Sequence, residues 1–328
     1  MTRFIARRLG AAVALLLILT GILFILQSIS QEDGIRVKLG ANATQEQVDA
    51  ERDRLGLNDP LPVQYLHYVG NAVTGDLGES YRTRRPVTED LRDFLPASAE
   101  LIAVTFAFAL ALAAVFGLSG ALRWPGGSAF RGLLLLGATA PPFLLGLGGI
   151  MLFYSRLDWL PANGRGPDDT GPTGFLVFDN LIRGDLADAQ DALKHLLLPA
   201  LVLSVAPALA IGRILRSSVE DVLRTDHVRT ARSKGLTETR VVGRHVLRNA
   251  AGPALSMAGL QLGFVFAGVV VVEVVFSWPG IGDYLALSIP AADYPAILGV
   301  TLVLGAVYIV SNAVVDILQV IADPRIAT

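Results

Sequence analysis

The sequence predicts an all-α membrane protein with six transmembrane helices. Its 328 residues are 52% hydrophobic and only 17% charged, with a mean hydropathy of +0.53, whereas a soluble domain carries about 25% charged residues. A bilayer core about 30 Å thick needs roughly 20 consecutive apolar residues per helix. Six stretches of about this length lack Lys, Arg, Asp and Glu: Leu9–Ile29, Leu101–Leu122, Gly132–Tyr154, Leu196–Gly212, Ala250–Val272 and Ala296–Val315.

Two of these stretches need a separate argument. The fourth is the shortest and contains Pro199 and Pro207, so its limits are the least well defined. The first follows Arg3, Arg7 and Arg8, a pattern that is also typical of a cleaved signal peptide. Because its apolar run exceeds the roughly 7–15 residues of a signal peptide and no small-x-small cleavage site follows, we interpret it as an uncleaved helix.

The distribution of charge predicts the orientation in the membrane. The segments after spans two and four are basic, whereas those after spans three and five are acidic. Basic loops stay on the cytoplasmic side. We therefore expect a multi-pass protein of the plasma membrane with both termini in the cytoplasm, with Thr44 and Thr173 outside and Ser233 inside.

Two outer segments are predicted to differ in structure. In the extracytoplasmic segment 30–100, Thr44–Gln47 fits a helix capping box and Gly56 follows the expected helix end. A second helix is indicated by apolar residues that share one face, namely Val63, Leu66, Val69 and Val73. The other outer segment, Asn163–Gly174, is rich in Gly and Pro and predicts a loop that is either ordered by contacts or mobile.

The inner segment 217–249 predicts two short helices joined at a sharp corner. The first should end at Gly235, because glycine readily adopts the left-handed conformation that closes a helix. Thr237 is a plausible N-cap of the second helix. Such a corner would present the small residues Ala231 and Gly235 to an approaching protein. An ordinary basic loop on the cytoplasmic side fits the same residues equally well.

The sequence contains no catalytic constellation. It has no cysteine and no Gly-rich phosphate-binding motif, and its four histidines lie outside the predicted spans or at their margins. A net charge of −2 gives no basic field for nucleic acid. We therefore predict a protein that is not an enzyme and binds neither a metal nor nucleic acid. A secondary transporter or channel is the alternative to an externally driven conduit, but it would normally place ionisable groups inside the spans, whereas Glu100, Glu273 and Asp316 lie at span ends.

The inner segment resembles the EAA loop of ABC importer permeases, in the form found in dipeptide, oligopeptide and nickel systems. Gly235 matches the glycine of that pattern, Ala231 its last alanine and Leu247 its leucine. The departures at Arg229 and Thr230 agree with the peptide-type variant. Further similar motifs occur in the same order along the chain: Leu55–Leu61, Gly75–Gly78, Trp278–Gly282, Asp293–Pro295 and Asp323–Ile326.

The resemblance implies a type I ABC importer permease fold, with one transmembrane domain over residues 1–328 and a helical extracytoplasmic insertion after the first helix. It further implies a half-channel in the lipid bilayer that pairs with a second homologous permease, two ATPase subunits and an extracytoplasmic substrate-binding protein. This chain would bind no cofactor, since ATP and Mg belong to the partner subunits. Peptides are favoured over nickel or other solutes only by family frequency. The residues expected to couple to the ATPase are Arg229, Thr230, Ala231, Lys234, Gly235 and Leu236.

Two further sets of residues are candidates for transport functions. The candidates for the translocation pathway or its gate are Pro141, Pro142, Gln261 and Glu273. Consecutive prolines should bend the third span, whereas Gly259 and Gly263 fit a helix contact better than a pathway lining. The candidates for docking the binding protein are Asn163, Asp168 and Asp169 in the outer loop, for which a passive connector is the alternative.

Overall fold

The computed structural model describes residues 2–39, 43–54, 56, 58–122, 124–167 and 171–322, with the side chains at 2–5, 27–38, 51, 316 and 318–322 left aside. Asp168 and Asp169, the motif Asp323–Ile326 and the side chain of Asp316 therefore lie outside the description. The helices of the described ranges are α1 (Thr2–Leu39), α2 (Gln45–Arg54), α3 (Leu61–Thr74), α4 (Val87–Ala121), α5 (Gly127–Thr139), α6 (Pro142–Gly149), α7 (Leu176–Arg183), α8 (Leu186–Leu223), α9 (Asp226–Ser233), α10 (Glu238–Val241), α11 (Leu247–Val275), α12 (Ile281–Ser288) and α13 (Tyr294–Ala322). Short π-helical stretches follow α6 (Ile150–Arg156) and precede α11 (Val242–Val246).

Within the described ranges, five helical segments are long and apolar enough to cross a membrane: Ala6–Leu26, Val87–Ala121, Leu186–Leu223, Glu238–Val275 and Tyr294–Val315. A sixth span exists only if α5 and α6 count as one, because the chain bends by 114° between them. This bent pair covers the predicted third span, Gly132–Tyr154, which is a single span only if its two helices are counted together. The prediction that Pro141 and Pro142 bend it is confirmed: Ala140, which precedes them, adopts the extended backbone that proline imposes on its predecessor.

The long helices extend well beyond the predicted spans. α4 begins at Val87 rather than at Leu101, and α8 runs from Leu186 to Leu223 rather than over Leu196–Gly212. Hydropathy marks only the part of a helix that matches the hydrocarbon core, whereas backbone hydrogen bonding continues into the polar flanks. The prolines of α4 and α8 lie inside these helices without ending them.

The centre of the bundle is built from α4, α8 and α11. Their buried apolar side chains form a common core in which Leu101, Leu203 and Val269 lie together. Small residues bring the helices close: a Cβ atom at Gly117 would press on Leu215, and one at Gly212 would press on Phe116. α13 packs against α11 and α1, and α1 lies at the edge of the bundle.

The segment between α1 and α4 is helical, as predicted. The capping box is present, because Gln47 donates its backbone N–H to the Thr44 hydroxyl at 3.3 Å while its side-chain oxygen accepts from the Thr44 N–H at 3.0 Å. In α3 the predicted apolar face is only partly used: Tyr65 and Tyr68 pack near Phe24 of α1, whereas much of the aliphatic row faces away from the chain. Leu66 is 68% exposed and Val73 83% exposed.

Candidate functional site

The structure separates two polar regions of opposite character. The first, called here the acidic end, comprises residues 78–100, 163–180 and 273–296 at one end of the bundle. The second, called the basic corner, comprises residues 225–249 between α8 and α11. In the described part of the chain, the carboxylates buried at the acidic end are Asp90, Glu100, Asp179, Glu273 and Asp293.

Glu100 and Arg165 form a buried ion pair that anchors the outer loop. The Arg165 Nη2 atom lies 2.5 Å from Glu100 Oε2 and also donates to the carbonyl oxygen of Gly174 at 2.6 Å. The N–H groups of Leu176 and Val177 donate to the same carboxylate. The described parts of this loop, residues 163–167 and 171–174, are therefore held by contacts, which is one of the two alternatives that its composition left open. Its candidate docking residue Asn163 is exposed.

Glu273 braces the turn that joins α11 and α12. Its side chain is fully buried and accepts hydrogen bonds from the Ser98 hydroxyl at 2.5 Å and from the N–H groups of Gly282 and Asp283. A Cβ atom at Gly280 would overlap this carboxylate, so the close approach of the turn requires glycine there. Because Glu273 is enclosed by its own chain, the geometry does not support the predicted position on a translocation pathway, and we reassign it to this turn.

Two further carboxylates tie the residues before α4 to the residues around α12. Asp293 accepts from the Ser80 hydroxyl at 2.5 Å and from the N–H of Tyr81 at 3.0 Å. Asp90 accepts from the Tyr284 hydroxyl at 2.9 Å. Burial raises the pKa of Tyr284 and the adjacent Asp90 adds to the effect, so the phenol stays protonated and remains a donor. The motifs singled out in the sequence around Gly78, Trp278 and Asp293 thus serve to close this end of the fold.

The basic corner has one face packed on the bundle and one face free. Val228 and Ala231 of α9 lie in a buried cluster with Val219 of α8 and Val246 before α11. The prediction that Ala231 is presented to another protein was therefore wrong, because its side chain is only 6% exposed and contacts its own chain. The exposed residues on or next to α9 are Asp226, His227, Arg229, Thr230, Arg232, Ser233, Lys234 and Gly235, whereas Leu236 is half-buried.

The predicted turn of the corner is confirmed. Gly235 has φ = +76° with open space around a Cβ position, which is the left-handed conformation that favours glycine. α10 begins at Glu238 after Thr237, but the Thr237 side chain makes no capping hydrogen bond. Instead, Arg232 and Glu238 close the corner with an ion pair of 2.5 Å. Hydrogen bonding by Arg232 lowers the pKa of Glu238.

The remaining pathway candidates do not form one cluster. Pro141 and Pro142 are exposed at the bend between α5 and α6, and α6 packs through Gly146 on Val275 near the end of α11. Gln261 lies 14 residues earlier on α11, or about 21 Å along the helix at 1.5 Å per residue. It is half-buried, with its amide nitrogen 3.7 Å from the Met257 sulfur. Gly263 makes the expected helix contact, facing the Tyr308 ring of α13.

Sequence reasoning missed the partners of the buried carboxylates. Arg165 lies 65 residues from Glu100, and Ser98 lies 175 residues from Glu273. The sequence did contain a signal for one of these pairs. Arg165 is a basic residue in a Gly- and Pro-rich loop whose other charged residues are acidic, a pattern that favours pairing with a carboxylate of the same chain. In the described residues, no group of three or more His, Asp or Glu side chains could hold a metal ion.

These features define a multi-pass helical membrane protein with an internally bonded acidic end and an exposed basic corner. The family model described as the binding-protein-dependent transport system inner membrane component matches residues 109–328, and the model of its N-terminal part matches residues 1–102. The chain belongs to this family and is a permease subunit of an ABC importer.

Named relatives match the chain over nearly its full length. It is 42% identical to the di/tripeptide transport system permease protein DppB of Pseudomonas aeruginosa, over 99% of both chains. It is 39% identical to the probable D,D-dipeptide transport system permease protein DdpB of Escherichia coli, over 93% of this chain and 92% of the relative. It is 36% identical to the dipeptide transport system permease protein DppB of Escherichia coli, over 99% of both.

Proposed function

We propose that this chain forms one half of the channel of an ATP-driven importer of short peptides. The observation that carries the proposal is the full-length identity of 36–42% to permeases named for di/tripeptide and dipeptide transport. The positive-inside rule supports an orientation with both termini and the basic corner in the cytoplasm of the cell, and with the acidic end outside.

The partners of this half-channel follow from the same proposal. A second homologous permease completes the channel, an extracytoplasmic binding protein delivers the peptide, and two ATPase subunits hold ATP and Mg. The importer then needs no ionisable residue in the centre of this chain to capture an ion gradient. Hydrolysis on the partners supplies the energy.

We assign ATPase docking to the free face of α9. Arg229, Thr230 and Lys234 point away from the bundle, and Gly235 leaves room for a close approach. Ala231 and Val228 act from the opposite face, because they fix α9 to the cluster that joins α8 and α11. A displacement of α9 by the ATPase is then transmitted to both long helices, since packed interiors transmit strain rather than absorb it.

The outer loop and the proline bend receive smaller roles in the proposal. Asn163 is exposed beside the anchored residue Arg165, so a binding protein would meet a fixed surface there. Pro141 and Pro142 lie at a break in the backbone hydrogen bonding of a membrane segment. Such breaks are tolerated where they border protein or a water-filled cavity, which suits a pathway or gate.

Reconstitution of the complete importer tests this function. The permease pair, the ATPases and the binding protein are placed in proteoliposomes, and uptake of a radiolabelled dipeptide is measured with ATP and with a proton gradient. We expect uptake that requires ATP and loaded binding protein, with Thr230→Trp reducing it at least tenfold. Arg244→Glu, at an exposed basic residue outside α9, is the matched control and should retain most uptake. Uptake driven by the gradient without ATP would instead identify a secondary transporter.

A further inference from the structure

A cavity of about 730 Å³ separates α1 from the beginning of α4. Residues of α3 and α13 form its other walls. α1 contacts both of these helices at the edge of the bundle. The volume lies within the roughly 300–1,000 Å³ of small-molecule sites. The cavity belongs neither to the basic corner nor to the bonded carboxylates of the acidic end.

The walls of the cavity are apolar along its length. They include Val13 and Leu16 of α1, Leu95 of α4, and Leu302 and Ala306 of α13. The hydroxyl of Thr20 contributes no free polar group, because it is hydrogen-bonded to the Leu17 carbonyl oxygen and the Tyr65 hydroxyl. A peptide would leave its backbone polar groups unpaired against such walls, which costs free energy. A hydrocarbon chain has no polar groups and does not incur this cost.

Polar groups are concentrated at one rim, on the first turns of α4. Arg92 lines the rim with an exposed side chain, and within the described part of the chain it has no hydrogen-bond or ion-pair partner. Glu89 also lies at the rim and pairs loosely with Arg85 at 3.7 Å. A free guanidinium beside an apolar cavity is complementary to a phosphate attached to a hydrocarbon chain.

The length of the cavity fits within one leaflet of a bilayer. Its lining on α1 runs from Val13 to Thr20, seven residues apart or about 10 Å along the helix, and half of a 30 Å hydrocarbon core is about 15 Å. The rim lies next to α3, whose exposed Leu66 and Val73 are apolar. An apolar helix face at this level indicates that the rim lies at the membrane interface rather than in bulk water.

We propose that a membrane phospholipid occupies this cavity, with an acyl chain between α1 and α4 and its phosphate at Arg92. The lipid fills the space that would otherwise separate α1 from the rest of the bundle, and so fixes the position of the first helix. The proposal concerns a structural ligand and is independent of which solute the importer carries.

Photo-crosslinking of the complete importer tests the proposal. The complex is reconstituted in phosphatidylethanolamine and phosphatidylglycerol vesicles that contain a trace of phospholipid with a diazirine in its acyl chain, and adducts are mapped by mass spectrometry. We expect adducts concentrated on the segments around Leu16 and Leu302. Ala306→Phe, which fills the cavity, should reduce them at least fivefold. The control Val310→Phe, at an outward-facing residue one turn further along, should leave them unchanged.

The headgroup contact has its own variant, which leaves the core untouched. Arg92→Gln should lower adduct formation with the phospholipid about threefold or more, because a charged hydrogen bond to phosphate is lost. A diazirine fatty acid without phosphate is the control probe and should label the wild type and the Arg92→Gln variant equally. The proposal is overturned if Ala306→Phe and Val310→Phe label equally, if Arg92→Gln has no effect, or if the cavity segments crosslink to the partner permease instead of to lipid.

Discussion

The acidic end and the basic corner use charge in opposite ways. At the acidic end, carboxylates such as Glu100 and Glu273 are buried and accept hydrogen bonds from distant parts of the same chain. At the basic corner, Arg229 and Lys234 are exposed, and the nearest acid to Arg229 lies 3.7 Å away in an exposed pair with Asp226. Burial of a charge requires partners within the chain, whereas exposed charge is available to another molecule.

This difference between buried and exposed charge distinguishes the motifs that stabilise the fold from those that form a surface for a partner. The sequence pieces around Trp278, Gly280 and Asp293 look like candidate functional motifs, yet they lie in the interior and close the acidic end. At the basic corner, only the face of α9 that contains Val228 and Ala231 is structural. We therefore expect substitutions of the buried residues at the acidic end to destabilise the protein, and substitutions on the free face of α9 to affect only the interaction with the ATPase.

The largest effect should come from breaking the buried ion pair. Arg165→Ala leaves the Glu100 carboxylate buried without its cation, which costs about 3–5 kcal/mol in the free energy of unfolding. The measurement is thermal or denaturant unfolding of the purified permease in detergent. Asn163→Ala, an exposed position in the same loop, is the control and should unfold like the wild type. If the two variants were equally stable, the loop would not be anchored through Arg165.

The two faces of α9 should respond differently to the same substitution. Ala231→Asp places a carboxyl group in an apolar cluster without a partner and should lower the free energy of unfolding by about 2–3 kcal/mol. Thr230→Asp makes the same charge change one residue earlier on the exposed face, and should leave unfolding within about 0.5 kcal/mol of the wild type. Equal destabilisation of both would mean that α9 is enclosed on all sides by its own chain.

The smallest effect should come from the ion pair that closes the corner. Arg232 and Glu238 are both well exposed, and exposed pairs contribute about 0–1 kcal/mol, so Glu238→Gln should change unfolding by no more than about 0.5 kcal/mol. Arg232 lowers the pKa of Glu238 below its ordinary 4.5. The pair therefore contributes to the free energy of unfolding above the unfolded-state pKa of Glu238. This contribution is lost as the pH falls through the lower pKa that Glu238 has in the folded state. If Glu238→Gln lowered the free energy of unfolding by more than this at pH 7, the pair would be required for the structure of the basic corner.

Features that depend on neighbouring residues were predictable from the sequence. The capping box at Thr44, the left-handed Gly235 and the bend at Pro141 each follow from local backbone chemistry. The ends of α4 and α8 were not predictable, because hydropathy stops where the hydrocarbon core stops. Nor was the burial of Ala231, since a small residue next to exposed charges fits a close contact with its own chain as well as with a partner.

The pairing of the buried carboxylates was beyond sequence reasoning for a different reason. Glu100 and Glu273 were predicted at the ends of apolar spans. In the structure Glu273 lies near the end of α11 and Glu100 lies inside α4, and their partners are set by how the helices pack. Ser98 reaches Glu273 only because α4 and α11 adjoin in the bundle. Long-range contacts of this kind are invisible to periodicity and to local motifs.

The central claim is that the free face of α9 is the docking surface for the ATPase while the acidic end is closed upon itself. Because the chain contains no cysteine, Thr230→Cys and Asn163→Cys each introduce a single thiol, one on each region. Each variant is assembled with cysteine-free partners that carry one engineered thiol on the ATPase, and is treated with a short bifunctional thiol crosslinker. The account predicts a permease–ATPase product for Thr230→Cys and none for Asn163→Cys. Crosslinking from Asn163→Cys, or its absence from Thr230→Cys in an importer that still transports peptide, would contradict it.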